Sequence, residues 1–285
     1  MIRFLDKYSS ALRVKETILL TGFFLIGAIF SIDKLSIAHL FDLGIIATLA
    51  FLLNSSLYAL NAFTGKAEDK HNVRLKKLTK IPRSFYLKYF LSSLLITLIA
   101  SCFFDVQFLW GIITLFILGF VYSMPILKLK NGPIGGTIVH FLYQVIAFNS
   151  AYAVFNSTSW TSLLISIYFA LLFSAGHLHH QAIDYEADKL ANLRTGAVKW
   201  GLRISAKASF ILAGSSALYW TLLYYYEFLD LVTMVLFIAA FCLQMTLYII
   251  YKNKFDDSNI SRVHYRNYYR ICYLMAGFCL VLLKL

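Results

Sequence analysis

Charge is scarce in this chain: of 285 residues, 14% are Asp, Glu, Lys or Arg, while 60% are apolar. A water-soluble domain carries about one charged residue in four, so the deficit and the mean hydropathy of +0.70 exclude that class. Only three prolines and 14 glycines interrupt the apolar runs. The runs do not alternate polar and apolar at every second position, which excludes a transmembrane barrel and leaves long helices. Cysteine is sparse too. Cys102, Cys242, Cys272 and Cys279 sit singly in apolar runs without metal-ligand spacing, and they read as small buried hydrophobes. The opening segment carries Arg3, Lys7, Arg13 and Lys15, but the apolar run after it lacks a small-residue cleavage site. That run therefore reads as a first spanning helix and not as a removed leader.

What is present is a series of apolar windows at about 17–32, 40–62, 84–104, 106–123, 134–155, 160–180, 204–226, 229–251 and 267–285. Each approaches the roughly 20 residues a helix needs to cross a bilayer. The expectation is an all-α integral membrane protein with about nine spanning helices, forming one domain over 1–285. Basic residues test the count. Nearly all 26 Lys and Arg lie at the N-terminus or beside the segments after helices two, four, six and eight. The segments after helices one, three, five and seven hold Lys34 alone. This alternation places the N-terminus in the cytoplasm and Leu285 on the far side. It also accounts for the net charge of +12 through anionic lipid or phosphate rather than nucleic acid. Nothing points to an obligatory protein partner.

Two segments on the basic side, about 63–83 and 181–203, share acidic residues close to the membrane followed by a basic stretch. Four helices separate them. Two four-helix repeats plus a ninth helix would give that spacing and bring the two loops face to face.

The first segment follows Asn61-Ala-Phe-Thr-Gly65-Lys-Ala-Glu-Asp69, where helical spacing puts Asn61, Gly65 and Asp69 on one stripe. The second contains Asp184-Tyr-Glu-Ala-Asp188, a carboxylate pair one turn apart. Facing carboxylates gain a use when Mg²⁺ bridges them to phosphate oxygens, since this ion takes a few carboxylates, several waters and its substrate. Lys66, Arg74, Lys128, Lys130 and Arg194 are placed to neutralise the remaining phosphate charge. A single acidic cluster at a membrane interface is ordinarily a solvated loop. Two on one side, with Asn61 still at membrane depth, favour a functional site.

With those residues quoted, the chain resembles the UbiA superfamily of intramembrane prenyltransferases over nearly its whole length. Tyr122-Ser123 before basic residues, and Arg194-Thr195 after the second motif, add to the likeness. Ala62 and Gly65 depart from it, standing where the prenyltransferases carry aspartates. The N-x-x-x-G-x-x-x-D and D-x-x-x-D pair is most similar to the bacterial UbiA-type terpene cyclases. The resemblance implies Mg²⁺ held by Asn61, Asp69, Asp184 and Asp188, with Lys66, Arg74, Tyr122, Lys128, Lys130 and Arg194 around the diphosphate. It implies an isoprenyl diphosphate of C15–C25 as substrate, cyclised within a bacterial inner membrane. The alternative within the superfamily is prenyl transfer to an aromatic, quinone-precursor or lipid acceptor. Glu68 and Glu186 lie off the motif stripe and are weaker metal candidates.

Tyr58, Gly65, Tyr143, Phe173, His177 and His180 are candidate pocket residues, as are Trp110, Phe120 and Tyr122 by depth. Aromatic faces would steady a carbocation. His177, His179 and His180 permit a zinc site. They read better as support for the Mg²⁺ ligands, because His177, Gln181, Asp184 and Asp188 share one helical face and His180 lies one turn before Asp184. A transporter or channel would carry charge near mid-membrane, and these windows have essentially none.

Overall fold

The computed structural model describes residues 11–65, 72, 80–124, 129–256 and 258–285. Among them are nine long helices: α1 (Val14–Ser31), α2 (Ile37–Thr64), α3 (Arg83–Ser101), α4 (Val106–Ser123), α5 (Gly135–Tyr152), α6 (Trp160–Leu190), α7 (Leu202–Tyr225), α8 (Leu231–Tyr251) and α9 (Asn259–Leu283). A five-residue helical turn, Gly196–Trp200, precedes α7. Six of the nine (α1–α4, α6 and α8) are long and apolar enough to cross a membrane by length and composition. The other three carry polar residues that the bundle uses internally, such as His140 and Gln144 on α5, Ser205 and Ser209 on α7, and Arg262 and Arg266 on α9.

The connections differ systematically between the two ends. On one side they are short (32–36, 102–105, 153–159 and 226–230) and deliver the chain into a capped helix. Ser36 and Ser159 form capping boxes with α2 and α6, and Asp105 and Asp230 accept backbone N–H bonds from α4 and α8. Each cap satisfies N–H groups that the first helical turn leaves unpaired. The opposite side carries the connections 65–82, 124–134, 191–201 and 252–258, the last as short as 153–159, together with the clustered Lys and Arg, and is called the basic end here.

α2 and α6 are the longest helices, with 28 and 31 residues. At 1.5 Å per residue α6 runs about 46 Å, well beyond the roughly 30 Å hydrocarbon core. Its last turns therefore project past the membrane at the basic end. The expected loop 181–203 thus begins as helix, and Asp184 and Asp188 are fixed by α6 itself. Likewise α9 starts at Asn259, eight residues before its apolar window, because its first turns are amphipathic and pack inward through Arg262 and Arg266.

Packing runs from α1 outward. α1 contacts α2, α5, α6 and α9; α2 packs on α3 and α4; α6 packs on α5, α7 and α9. At Gly27 an added Cβ would lie 2.1 Å from the Phe148 carbonyl oxygen, so only glycine lets α1 and α5 approach this closely. The side away from the basic end is filled by aromatic rings. Trp220 packs against Tyr168, Phe237, Phe169 and Phe30 at centroid distances of 4.1, 5.3, 5.8 and 6.1 Å. Phe24, Leu53, Phe108 and Ile112 fill the neighbouring half. This packing fills the interior around α7, while the space between α1 and α9 stays open from Arg13 at the basic end to Leu35 at the other.

The outer faces carry exposed Leu91, Leu95, Ile99, Ile117 and Leu218, the surface expected of helices that meet lipid. Cys102 and Cys242 lie exposed on this surface, and Cys272 and Cys279 are half-buried, so the cysteines are not the core residues their apolar neighbours implied.

Candidate active site

Two adjoining cavities lie within the bundle, one at the basic end and one running along α1 from Arg13 to Leu35. The smaller, about 230 Å³, is bounded by α2, α4, α5 and α6 and lined by Asn61, Lys130, Asp184 and Asp188. Tyr58, Tyr122, Tyr143, Phe173, His177 and His180 complete much of its wall. The larger, about 810 Å³, lies between α1, α6 and α9 and is mostly apolar. Both are lined by Tyr58, His140, Phe173, His177, His180 and Asp184. A polar compartment and an apolar one therefore share a wall of aromatic and imidazole rings.

Asp184 and Asp188 come to one face because the α6 helix returns every 3.6 residues. Each carboxylate is held. Asp184 Oδ1 accepts from Asn72 Nδ2 at 2.9 Å, and its Oδ2 lies 3.4 Å from His180 Nε2. Asp188 Oδ2 accepts from the Thr195 hydroxyl at 3.0 Å. Across the cavity, Asn61 on the last turns of α2 accepts from Lys130 Nζ at 3.4 Å through Oδ1. Tyr143 donates to Asn54 Oδ1 at 2.9 Å, and both line the smaller cavity.

Other expected residues fall elsewhere. Asp69, Lys66, Glu68, Arg74 and Lys128 lie outside the described residues. α2 ends at Thr64, and Gly65 is its buried C-cap and lines neither cavity. Arg194 is exposed, whereas its neighbour Thr195 is buried against Asp188. Glu186 points to the opposite face of α6, where both its oxygens accept from Arg262 Nη2 at 2.8 and 3.0 Å. Trp110 and Phe120 are 62% and 47% exposed on the outside of α4. Depth alone had placed them in the wall, and helical phase turns them toward lipid.

The sequence matches the UbiA prenyltransferase family over residues 20–269. This chain belongs to the UbiA prenyltransferase family. No curated protein matches it. Among solved structures, it is similar to a UbiA homologue from Archaeoglobus fulgidus bound to DMAPP and Mg²⁺. That match has a TM-score of 0.74 at 18% identity and covers 96% of this chain and 99% of that one. A digeranylgeranylglyceryl phosphate synthase aligns with a TM-score of 0.68 at 15% identity, covering 98% of both chains. A UbiA homologue from Aeropyrum pernix K1 aligns with a TM-score of 0.68 at 12% identity, covering 92% of this chain and 98% of that one. At such identities the likeness is one of fold.

The three adjacent histidines of this UbiA member point in three directions. His179 Nε2 meets the Arg262 carbonyl at 3.0 Å, His180 faces Asp184, and His177 Nε2 pairs with Gln181 Nε2 at 3.0 Å. Among the described residues no three His, Cys, Asp or Glu side chains group as metal ligands, and each of these imidazoles is engaged with a different partner. The donors that do face one another, Asn61, Asp184 and Asp188, offer oxygen only. A hard cation that keeps waters and takes ligands from its substrate fits that set.

Three participants escaped the sequence reading, and a fourth, Thr195, entered it only through its place beside Arg194. Asn72 is buried in a connection with no helical phase to betray it. Thr195 acts seven residues from its partner. His140 lies on α5 and Arg266 on α9, and both reach the site only through long-range packing. Arg13, read as a topology signal, stands 5.0 Å over the Tyr58 ring and lines both cavities.

Proposed function

We propose that this UbiA-family chain ionises a long-chain isoprenyl diphosphate and closes the resulting cation into rings, acting as a Mg²⁺-dependent membrane terpene cyclase. The observation that carries the reading is the adjoining pair of cavities. An oxygen-donor compartment suited to a metal diphosphate opens onto a chamber large enough for a folded prenyl chain. In this reading 1–285 acts as a single domain, and the basic end faces the cytoplasm of a bacterial inner membrane, where charged substrate is supplied.

Asn61, Asp184 and Asp188 would hold Mg²⁺, together with Asp69. When bound, the metal neutralises the diphosphate and makes it a better leaving group. Lys130 and the Tyr122 hydroxyl stand where diphosphate oxygens would lie, with Lys66, Arg74, Lys128 and Arg194 supplying further positive charge around the rim. Asn72, His180 and Thr195 hold the carboxylates in place. Phe173, Tyr58 and Tyr143 present π-faces to the developing cation. Ala62 and Gly65 stand where the prenyltransferases carry aspartates, so this end of α2 offers fewer acids to a second substrate.

Prenyl transfer is the second reading, favoured by the size of the larger cavity and by Arg13, Arg266 and Arg270 on its wall, which would suit an anionic acceptor. The test is to incubate purified protein with single C15, C20 and C25 prenyl diphosphates and Mg²⁺, without acceptor. Rapid diphosphate release with a cyclic hydrocarbon or alcohol is expected, and excess EDTA should abolish it. Silence with every diphosphate alone, followed by conjugate formation once an aromatic acid or quinone precursor is added, would establish transfer instead.

A further inference from the structure

Three imidazoles line the shared wall, and their hydrogen bonds assign a proton to each. Arginine only donates, so Arg266 Nη1 at 2.9 Å from His180 Nδ1 makes that nitrogen an acceptor. His180 then carries its proton on Nε2, toward Asp184. The Gln181 amide is oriented by the Gly196 N–H, which donates to its Oε1 at 3.0 Å. Its Nε2 therefore donates to His177 Nε2, and the His177 proton sits on Nδ1. His140 differs. Its Nδ1 lies 2.7 Å from the Gly136 carbonyl oxygen, which can only accept, so the proton is on Nδ1 and Nε2 carries a lone pair. Among the described residues nothing donates to that Nε2.

The ring is also fixed in place. It stacks on His177 at 3.8 Å and 23°, meets Tyr122 edge-on at 5.2 Å, and lies 5.4 Å from Phe173. Gly136 makes the stack possible, since a Cβ there would come within 3.0 Å of His177 Nε2. His140 thus stands at the junction of the two cavities with one basic lone pair uncommitted.

From this geometry we infer that His140 is the base that ends the reaction, taking through Nε2 the proton that the final carbocation must lose. The inference rests on the cyclase reading. In the balance of the reaction, the allylic C–O bond breaks and its electron pair leaves with diphosphate. A substrate π pair forms the ring C–C bond and moves the positive charge along the chain. A C–H bond next to that charge then gives its electron pair to a new C=C, while its proton bonds to His140 Nε2. The imidazolium returns this proton to the departing diphosphate, which restores the starting tautomer.

The test reads the ratio of olefin to alcohol products by gas chromatography and mass spectrometry. A ratio does not depend on how much protein folds. His140→Phe keeps a ring in the stack and removes the lone pair; if it fails to fold, His140→Asn keeps a donor for the Gly136 carbonyl. Wild type should give mainly olefin. The variant should still release diphosphate, with the ratio lowered about tenfold or more, positioned bases typically contributing about 10²–10⁴. Glu16 is the other acid that lines the larger cavity, and Glu16→Gln should leave the ratio at its wild-type value. An unchanged ratio in the His140 variant would mean that diphosphate itself takes the proton. A ratio that shifts with Glu16→Gln instead, an alcohol-only wild type, or lost diphosphate release in a folded His140 variant would each overturn the assignment. A wild type that makes product only with an acceptor present would overturn the cyclase reading and this inference with it.

Discussion

Arg266 on α9 donates to His180 Nδ1 on α6 across 2.9 Å, and this contact decides which way the imidazole serves its neighbour. With Nδ1 occupied as an acceptor, the remaining proton faces Asp184 Oδ2 at 3.4 Å, while Asn72 holds the other carboxylate oxygen at 2.9 Å. A residue 82 positions further along the chain (184 to 266) thereby orients a carboxylate it does not touch. Carboxylates that bind metals are commonly held in this way by a neighbouring ring of hydrogen bonds.

His180→Ala should therefore raise the Mg²⁺ concentration needed for half-maximal turnover by about 10–100-fold, with a smaller effect on the rate at saturating metal. Arg266→Met should shift the same quantity in the same direction, because the imidazole would be free to change tautomer. Magnesium titrations of steady-state diphosphate release measure both. A fall in maximal rate with an unmoved midpoint would show that the pair is merely structural.

How much of this was legible from the residues follows from range. Asn61, Asp184 and Asp188 announced themselves because one helical turn relates the acids and a spanning run brackets the amide. The alternation of basic segments fixed the number of helices for a similar reason: it is a property of successive connections. Asn72, His140 and Arg266 carry no local signature, since their roles exist only once α2, α5, α6 and α9 are packed. Helix ends were misjudged where polar residues continue a helix out of the membrane, as at Gln181–Leu190 and Asn259–Arg266. An apolar window ends with the lipid, whereas a helix ends where its backbone bonds do. Trp110 and Phe120 failed for the complementary reason, because hydropathy reports depth and not the face a side chain presents.

Gly196→Ala should destabilise the protein and impair catalysis together. An added Cβ would lie 2.7 Å from Gln181 Oε1 and 2.9 Å from the Trp200 ring, so the Gln181 amide and the Trp200 ring would have to shift. Overpacking of this kind costs about 1–3 kcal/mol. A shifted Gln181 amide would loosen its bond from the Gly196 N–H, next to the Thr195 hydroxyl that donates to Asp188. A lower melting temperature in detergent, accompanied by weaker Mg²⁺ response, is expected. Wild-type melting would show that the Gly196–Gln181 contact is slack.

Topology provides a test free of any chemistry. Single cysteines at positions 130 and 192 should react with an impermeant thiol reagent from the cytoplasmic side. Cysteines at 157 and 285 should react from the opposite side, since an odd number of helices separates the two ends. Labelling should be done on a background in which Cys102 and Cys242, both exposed, are replaced. Positions 130 and 192 reacting from opposite sides would separate Lys130 from Asp188 and dissolve the site.

Three acids lie within five residues of α6, and the helix sorts them into two jobs. Asp184 and Asp188 face the cavity, where the reading given to it makes them ligands. Glu186, two residues from each, is turned about 200° away at 100° per residue. There it pairs with Arg262, whose side chain is 1% exposed and also donates to the Phe255 carbonyl oxygen. Loss of anionic oxygen should therefore have opposite consequences on the two faces. Asp184→Asn and Asp188→Asn should reduce turnover by at least about 10²-fold, beyond what loss of a supporting hydrogen bond costs, with melting temperatures near wild type. Glu186→Gln should keep turnover and Mg²⁺ response near wild type while lowering the melting temperature, because a neutral amide compensates the buried guanidinium less well. The loss should be modest, as the Glu186 side chain is 56% exposed and solvent shares in the pairing. Turnover assays and thermal melts on the three variants check the division. If Glu186→Gln abolished activity in a protein that melts like wild type, the helical phase assigned to this motif would be wrong.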